Sequence, residues 1–590
     1  APGHGYEDYL TGLAYGLDIY TPVDDDGKFT RDVERYAGID VFKANTIINA
    51  DMKKQGVLLH EGEIGHSYPH CWRCKNPVIF RATSQWFISM DKNDLRKRTL
   101  AEIKRVAWIP AWAEERISTM MAARPDWCIS RQRTWGVPIP AFRCRDCGEP
   151  LADAATARHV AAVFGREGSN AWFVRPAAEL LPPGASCPKC GGANLEKENN
   201  ILDVWFESGA SHNVLGRRPD LPYPSDVYIE GHDQHRGWFN SSIVVGVAAR
   251  GGSPYGTCIT HGFVLDDQGK AMSKSAGNVI EPRSIIAQDG AEILRLWAAM
   301  LNYKEDAPFG KELQQRIAEA YRKIRNTWRF LLGNLYDFSP DADSVPAGEL
   351  EFLDRWALEK TAEAGRKAIE AYDAYEYHPI FHVLYNFFTV DMSAFYLDVL
   401  KDRLYCSGSA SKARRSAQTA IFRILKDTLL LAAPILPFTT EEAWEAMPAF
   451  AGKAVSIHLE LFPEFGTSWL RPEEKSDWEI LLGVREAVLK ALEGARERKL
   501  IGNALEGRVR IEAPPEVKAV LDRHRSGLCA LFIVSDVVVD PAAGGEILVS
   551  VDKAPGGKCV RCWNYSTAVG TIEGRPELCR RCADVLAGRE

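Results

Sequence analysis

Ten of the 14 cysteines stand in five Cys-x2-Cys pairs. Two thiolates at that spacing can leave one turn toward the same metal ion, and two pairs complete a tetrahedral four-sulfur site. Cys559 and Cys562 with Cys579 and Cys582, near the end of the chain, have the spacing of such a closed zinc site. Cys144 and Cys147 with Cys187 and Cys190 are a second candidate, each pair followed by a glycine, Gly148 or Gly191. The longer gap between these pairs suits a structural insertion. Cys71 and Cys74 are a half-site with no further pair to complete it. Cys128, Cys258, Cys406 and Cys529 read as buried and inert. A disulfide framework is the alternative. However, a chain this long, whose opening Ala1 to Gly5 has no charged or apolar export segment, is expected to keep its thiols reduced.

Other residues suit phosphates and amines. In Lys270-Ala271-Met272-Ser273-Lys274-Ser275-Ala276-Gly277-Asn278 the lysines supply charge, and the small residues let backbone N–H groups approach a polyphosphate. Taken alone, such a loop is more simply a solvated turn. Glu230-Gly231-His232-Asp233-Gln234-His235-Arg236-Gly237-Trp238-Phe239 puts acidic and amide groups at a strand end, where they can hold an α-amino group and a ribose. A polar turn capped by Asp233 is the plain alternative. In Trp127-Cys128-Ile129-Ser130-Arg131-Gln132-Arg133-Thr134-Trp135-Gly136 the two arginines can contact phosphates or pair with carboxylates.

These residues need a large scaffold, and 590 residues with 46% apolar and 26% charged content suffice for several domains. No run of about 18 apolar residues exists to span a membrane. The net charge of −7 is a poor guide to polyanion binding, which needs only a local basic surface; Lys558 to Glu590 carries six Lys/Arg against four Asp/Glu. Residues 1 to about 60 mix short strand-like runs with turns such as Asp26-Gly27, and 84–125 alternate strand and helix. Ile201 to Phe206 alternates as a strand, Val227 to Glu230 is a strand ending at a glycine, and Phe239 to Ala249 is a buried helix. Strand–glycine–helix order is that of a doubly wound α/β domain. Past Lys311 the pattern turns helical: Ile317, Tyr321, Ile324, Trp328, Leu331 and Leu335 share one face. Phe338 to Gly348 reads as a linker, and Thr439 with Glu442 as a capping box after Pro437. A small α/β unit follows, with a helix through Ala487 to Leu500 and strands near Val509 to Ile511 and Phe532 to Val539, then the Cys-rich tail.

Taken together, the motifs resemble those of class I aminoacyl-tRNA synthetases, and specifically the bacterial isoleucyl type. The loop at 270–278 resembles the family's KMSKS signature, with Ala271 in place of its first lysine and Lys270 one place earlier. The resemblance makes Lys274 the catalytic group that stabilises the transition state of adenylate formation, and Lys270, Met272, Ser273, Ser275, His261 and Gly262 its nucleotide-binding neighbours. The segment at 230–239 is similar to the G-x-D-Q-H-R-G-W-F string of isoleucyl enzymes. It implies that Glu230, Gly231, Asp233 and Gln234 hold the aminoacyl-adenylate, with Trp205 and Trp238 walling the side-chain pocket. The segment at 127–136 resembles one shared by isoleucyl, valyl and leucyl enzymes. Ala1 to Tyr9 resembles the end of the isoleucyl editing motif, with Asp8 at the aspartate that recognises a mischarged amino group. Editing is physically reasonable, because one missing methylene gives only modest discrimination. The setting of Cys559 and Cys562 resembles the family's C-terminal zinc module, a structural unit supporting tRNA contact.

The implied layout is a multidomain α/β plus all-α protein. It runs from an editing-domain remnant at 1–60 to the second part of a Rossmann-like catalytic domain at 61–310, with a zinc-knuckle insertion at about 143–200. A helical-bundle anticodon-binding domain at 311–480, a small α/β junction domain at 481–555 and a zinc module at 556–590 follow. The implied activity is ATP-dependent joining of L-isoleucine to its tRNA, with Mg²⁺ and Zn²⁺, in a cytoplasmic monomer with no membrane partner. The sequence is expected to be a C-terminal fragment without the HIGH signature, and by itself unable to activate isoleucine. Glu63-Ile64-Gly65-His66 resembles HIGH, but it lacks the first His and follows the editing segment, so it reads as a coincidence. A valyl-type ligase and a non-catalytic zinc-containing RNA-binding protein are the competing readings.

Overall fold

The computed structural model describes residues 2–71, 74–273, 277–466, 468–542 and 544–589. The chain divides into two units, 1–260 and 261–590.

The first unit opens with helices α1 (Tyr6–Ala14) and α2 (Val41–Lys54). This corrects the strand-like reading of 1–60. Asp40 caps α2 by accepting the N–H groups of Phe42 and Lys43, a local signal that outweighs the β-branched residues inside the helix. Next come α3 (Leu95–Ile103), β1 (Ala107–Ile109) and α4 (Trp112–Ala122). A small sheet of β2 (Phe142–Cys144), β3 (Pro150–Leu151) and β4 (Leu195–Lys197) carries the first four-cysteine cluster. Beyond it lie α5 (Val204–Gly209), β5 (Ser225–Gly231), α6 (Trp238–Arg250) and β6 (Tyr255–His261). The main sheet has the order β1-β6-β5, with β6 parallel to β1 in the register Cys258 against Trp108. Helix α6 is buried from Phe239 to Val247, where even Asn240, Ser241 and Ser242 are inside. It packs with Trp108, Ile117, Tyr228 and Tyr255 into this unit's core.

The alternating run at Ile201 is a strand only as far as Leu202. Asp203 then accepts the N–H of Trp205 and starts α5, so the cap, not the alternation, decides the local structure.

The second unit begins with β7 (Val264–Leu265), α7 (Ala291–Met300) and β8 (Ala307–Pro308), then turns helical. Its bundle comprises α8 (Lys311–Gly333), α9 (Phe352–Asp373), α10 (Tyr377–Asn386), a π-helical stretch Phe387–Tyr396, α11 (Leu397–Cys406), α12 (Lys412–Ala432) and α13 (Pro437–Ala446). Ile317, Ile324, Trp328 and Leu331 are buried on one face of α8, and Trp328 Nε1 donates to Thr428 on α12 at 3.1 Å. The 338–348 linker contains a short helix, Pro340–Asp343.

The expected capping box at Thr439 does not form. Pro437 sits at the first helical position, so Thr439 lies inside the turn. Glu292 of α7 caps α13 instead, accepting the N–H groups of Phe438 and Thr439, both at 2.9 Å.

Asp354, fully buried in the bundle, accepts from Tyr396 at 2.9 Å, from Ser416 at 2.5 Å and from both terminal nitrogens of Arg403 at 2.9 and 2.8 Å. The long helix α14 (Pro472–Glu497) leads to a sheet of order β10-β9-β11, made of β9 (Gly507–Ala513), β10 (Asp536–Pro541) and β11 (Leu548–Lys553). The strand expected from Phe532 starts only at Asp536, because Phe532 closes a helical turn, Leu528–Phe532. Helix α16 is not needed for the bundle; α15 (Arg580–Leu586) ends the chain.

Candidate functional site

In the first unit, β5 ends at Gly231, the chain makes one 3-10 turn over His232–His235, and α6 starts at Trp238. Glu230 and Asp233 are exposed at this strand end, where acceptors can meet a cationic ligand; Gly231 is buried. Gln234 turns inward. Its Oε1 accepts the N–H of Trp238 at 2.9 Å, and its Nε2 donates to Asp233 Oδ2 at 3.2 Å. A Cβ on Gly237 would lie 2.4 Å from Gln234 Oε1 and 2.7 Å from Trp205 Cη2, so this glycine lets the Trp205 ring and the Gln234 amide close over the turn. Trp205 keeps 40% of its surface exposed, which separates it from the core. Trp238 is half-buried and fixed: it stacks on Tyr228 at 4.1 Å and donates to Ser208 O at 3.0 Å. Glu230, Gly231, Asp233, Gln234, Trp205 and Trp238 therefore occupy one turn and its immediate cover.

Sequence reasoning passed over three supports of that turn. Gly237 and Tyr228 are two of them. The third is His235, buried between Trp108 and Trp112 with ring centroids 6.1 and 5.9 Å away. Burial lowers its pKa, favouring the neutral ring. Gly237 was legible as the glycine preceding a bulky helix; the other two depend on contacts with distant strands and helices. The arginine question at 127–136 is answered for one residue. Arg131 pairs with buried Asp203 at 2.9 Å, and Trp127 Nε1 donates to the same oxygen at 3.0 Å. Arg133 is exposed.

In the second unit, Gly262 is a point of close approach: a Cβ there would sit 2.3 Å from the carbonyl of Glu305. Its N–H donates to Tyr303 O at 2.9 Å, and His261 Nδ1 lies 2.8 Å from Gly262 O. The lysine loop springs from β7. Asp266 Oδ1 accepts the N–H groups of Gln268 and Lys270 at 3.0 and 2.8 Å. Asn278 closes the far side, donating to Asp266 Oδ2 at 2.8 Å and accepting the N–H of Ser273 at 2.9 Å. The Asn278 bond and these N–H donors hold the Asp266 carboxyl below its ordinary range. Lys270 is exposed and Met272 half-buried; Lys274 and Ser275 lie outside the described residues.

The cysteine pairs share one local architecture. In the pairs at Cys71, Cys144, Cys187 and Cys559 the first cysteine's N–H donates to the carbonyl five residues on, and its carbonyl accepts the N–H four residues on. The fourth-following residue has positive φ each time: Lys75 at 62°, Gly148 at 75°, Gly191 at 72° and Trp563 at 63°. This turn points amides at the sulfurs. Cys579 instead precedes α15, whose first turn it caps.

The four sulfurs of Cys144, Cys147, Cys187 and Cys190 lie within 4.8 Å of one another, as do those of Cys559, Cys562, Cys579 and Cys582. Individual separations are 3.5 Å for Cys147–Cys187 and 3.7 Å for Cys562–Cys579. Tetrahedral zinc with bonds of about 2.3 Å would set its sulfurs about 3.8 Å apart, so both donor sets fit zinc. Burial raises the Cys559 thiol, but N–H groups of Cys562, Cys579 and Arg561 outweigh it and bring it down to about 6. Among the described residues no third ligand converges on Cys71 and Cys74.

Asp8 is exposed in the first turn of α1, and Ile64 of the HIGH-like string is 85% exposed in irregular chain.

Residues 19–310 match the family described as tRNA synthetases class I (I, L, M and V), 354–512 the anticodon-binding domain of tRNA ligase, and 556–585 the zinc finger found in FPG and IleRS. Fold and motifs thus define a class I synthetase catalytic domain, an anticodon-binding domain and a C-terminal zinc finger. The chain is 51% identical over 599 residues to the isoleucine–tRNA ligase of Syntrophotalea carbinolica, covering all of this chain and 64% of that protein. It is 49% identical to that of Geobacter sulfurreducens, over 99% of this chain and 64% of the relative, and 47% identical to that of Thermotoga maritima, over 100% and 65%. The chain belongs to the isoleucine–tRNA ligase family and spans just under two thirds of these relatives' length.

Proposed function

We propose that this chain carries the amino-acid half of a catalytic centre that joins L-isoleucine to ATP, releases pyrophosphate, and passes the acyl group to the terminal ribose of isoleucine tRNA. The observation that carries the reading is the closed turn at 230–238. Exposed Glu230 and Asp233 suit the α-amino group and ribose of the adenylate, while Trp205, resting on Gly237, and anchored Trp238 suit an aliphatic side chain.

The chemistry is in-line attack of a carboxylate on the α-phosphorus, so the protein contributes positioning and charge. Lys274 is assigned to the departing pyrophosphate, with Lys270, Met272, Ser273, Ser275, His261 and Gly262 as the surrounding nucleotide loop. Mg²⁺, when bound, would neutralise phosphate charge. Zn²⁺ in the two four-cysteine sets would have a structural role. We further propose that Asp8 belongs to a site that hydrolyses mischarged valine. The enzyme is proposed to be a cytoplasmic monomer, with boundaries near 60, 310, 480 and 555. For the polypeptide 1–590 alone we expect no isoleucine-dependent pyrophosphate exchange, since the family's HIGH signature has no equivalent in it.

The test is calorimetric titration with non-hydrolysable isoleucyl- and valyl-adenylate analogues. Tighter binding of the isoleucyl compound, lost in Trp205→Ala, supports the assignment. Equal binding of both, unaffected by that substitution, contradicts it.

A further inference from the structure

Helix α8 carries a row of cations that the fold leaves unneutralised. Arg322, Arg325 and Arg329 follow one another at steps of three and four, so they share a face. All three are exposed, turned away from the buried Ile317, Ile324, Trp328 and Leu331. None has an ion-pair, hydrogen-bond or ring partner among the described residues. Other cations of this unit behave differently: Arg403 is paired with Asp354, Arg414 with Asp337, Arg581 with Asp402 and Lys401 with Asp398. In a chain of net charge −7, three adjacent unpaired arginines are a local positive surface and not a reflection of composition.

Two open grooves adjoin the row. The first, about 490 Å³, is lined by Lys323, Asn326 and Phe330 of α8 with Thr389, Ser393 and Lys401 facing them. Phe330 also borders the second, about 620 Å³, which includes Tyr336, Tyr405, Arg414 and Arg561. Tyr336 is 81% exposed and Tyr405 57% exposed, so their rings are available to a ligand. The two guanidinium groups are already fixed. Arg414 holds Asp337 through both terminal nitrogens at 2.6 and 3.0 Å, and Arg561, between two cysteines of the second four-sulfur set, donates to the carbonyl of Cys406. Aromatic rings and immobilised arginine planes stack on unpaired bases, whereas exposed flexible arginines follow a phosphate backbone.

We propose that this face of α8 with its two grooves is an RNA track: Arg322, Arg325 and Arg329 neutralise consecutive phosphates, and Tyr336 with Tyr405 receives an unstacked base. The proposal rests on the tRNA reading above for its partner and adds the surface that reading leaves open. An anionic membrane would use the arginines but has no use for a stacking pocket floored by fixed guanidiniums, so RNA is the occupant the geometry favours.

The experiment is titration of the chain with isoleucine tRNA and an unrelated tRNA at several salt concentrations. It compares the wild type, the triple variant Arg322→Gln/Arg325→Gln/Arg329→Gln, and Tyr405→Ala. Anionic phosphatidylserine vesicles form a parallel arm. The triple variant should lose about three units of the slope of log Kobs against log salt, for both tRNAs. Tyr405→Ala should keep the slope and bind about tenfold more weakly. Unchanged slope and affinity in the triple variant overturn the proposal, as does a loss confined to vesicle binding. Wild-type binding that does not favour isoleucine tRNA, with the slope still falling in the triple variant, would sink the isoleucine reading and leave the RNA surface standing. All substituted side chains are at the surface, and an unchanged melting temperature verifies that folding is intact.

Discussion

Asn278 clasps Asp266 across the base of the lysine loop, donating to its carboxylate at 2.8 Å while accepting the N–H of Ser273 at 2.9 Å. The ends of the loop are therefore fixed by side chains twelve residues apart, and the segment between them is presented from a defined base. Asn278→Ala removes both bonds, each worth about 1 kcal/mol. Amide hydrogen exchange at Lys270 and Ser273 should accelerate about tenfold, with the melting temperature nearly unchanged because the clasp is at the surface.

A methyl group at Gly237 has no room between the Gln234 amide and the Trp205 ring. Gly237→Ala should expel Trp205, raise its quenching by iodide, and cost about 1–3 kcal/mol of stability, the range for overpacking. Wild-type quenching in that variant would mean the ring does not depend on the glycine.

Metal analysis should give two zinc ions per chain. Cys559→Ser should lower the count by one and unfold the tail, since the four cysteines make up most of its small core together with Cys406, Leu578 and Ala583. Cys144→Ser should remove the other ion and leave the tail folded. Release of both ions by a single substitution would show that the sites are coupled.

These metal sites were legible because a Cys-x2-Cys turn is local: four pairs repeat the same hydrogen bonds whatever surrounds them. The buried face of α8 and the strand-to-glycine turn at Gly231 were legible for the same reason. What escaped was decided at a distance. Glu292 caps α13 from 146 residues away, displacing the local Thr439 box, and His235 owes its place to Trp108 and Trp112 on other elements. Asp203 misled the alternating pattern because one side chain both caps α5 and pairs with Arg131.

Removing the partner of a buried carboxylate leaves an uncompensated charge. Arg403→Met should destabilise the helical bundle by about 3–5 kcal/mol by stranding Asp354, measured by urea denaturation. The pair Arg403→Met with Asp354→Leu should recover much of that loss.

Glu474 gives the bundle an acid-sensitive point. Burial raises its pKa, but hydrogen bonds from the Arg471 side chain and N–H, and from Arg355, outweigh this and bring it to about 2 from 4.5. A depressed folded pKa means stability that is complete above about pH 4.5 and lost as pH falls toward 2. Glu474→Gln should therefore flatten the acid limb between those values, removing up to about 3 kcal/mol of the neutral-pH stability.

The central claim, that this chain serves isoleucine tRNA, is tested most directly by its affinity for a panel of tRNAs at one fixed salt concentration. The account predicts preferential binding of isoleucine tRNA, abolished when the anticodon is changed. Equal affinity for every tRNA in the panel would contradict it.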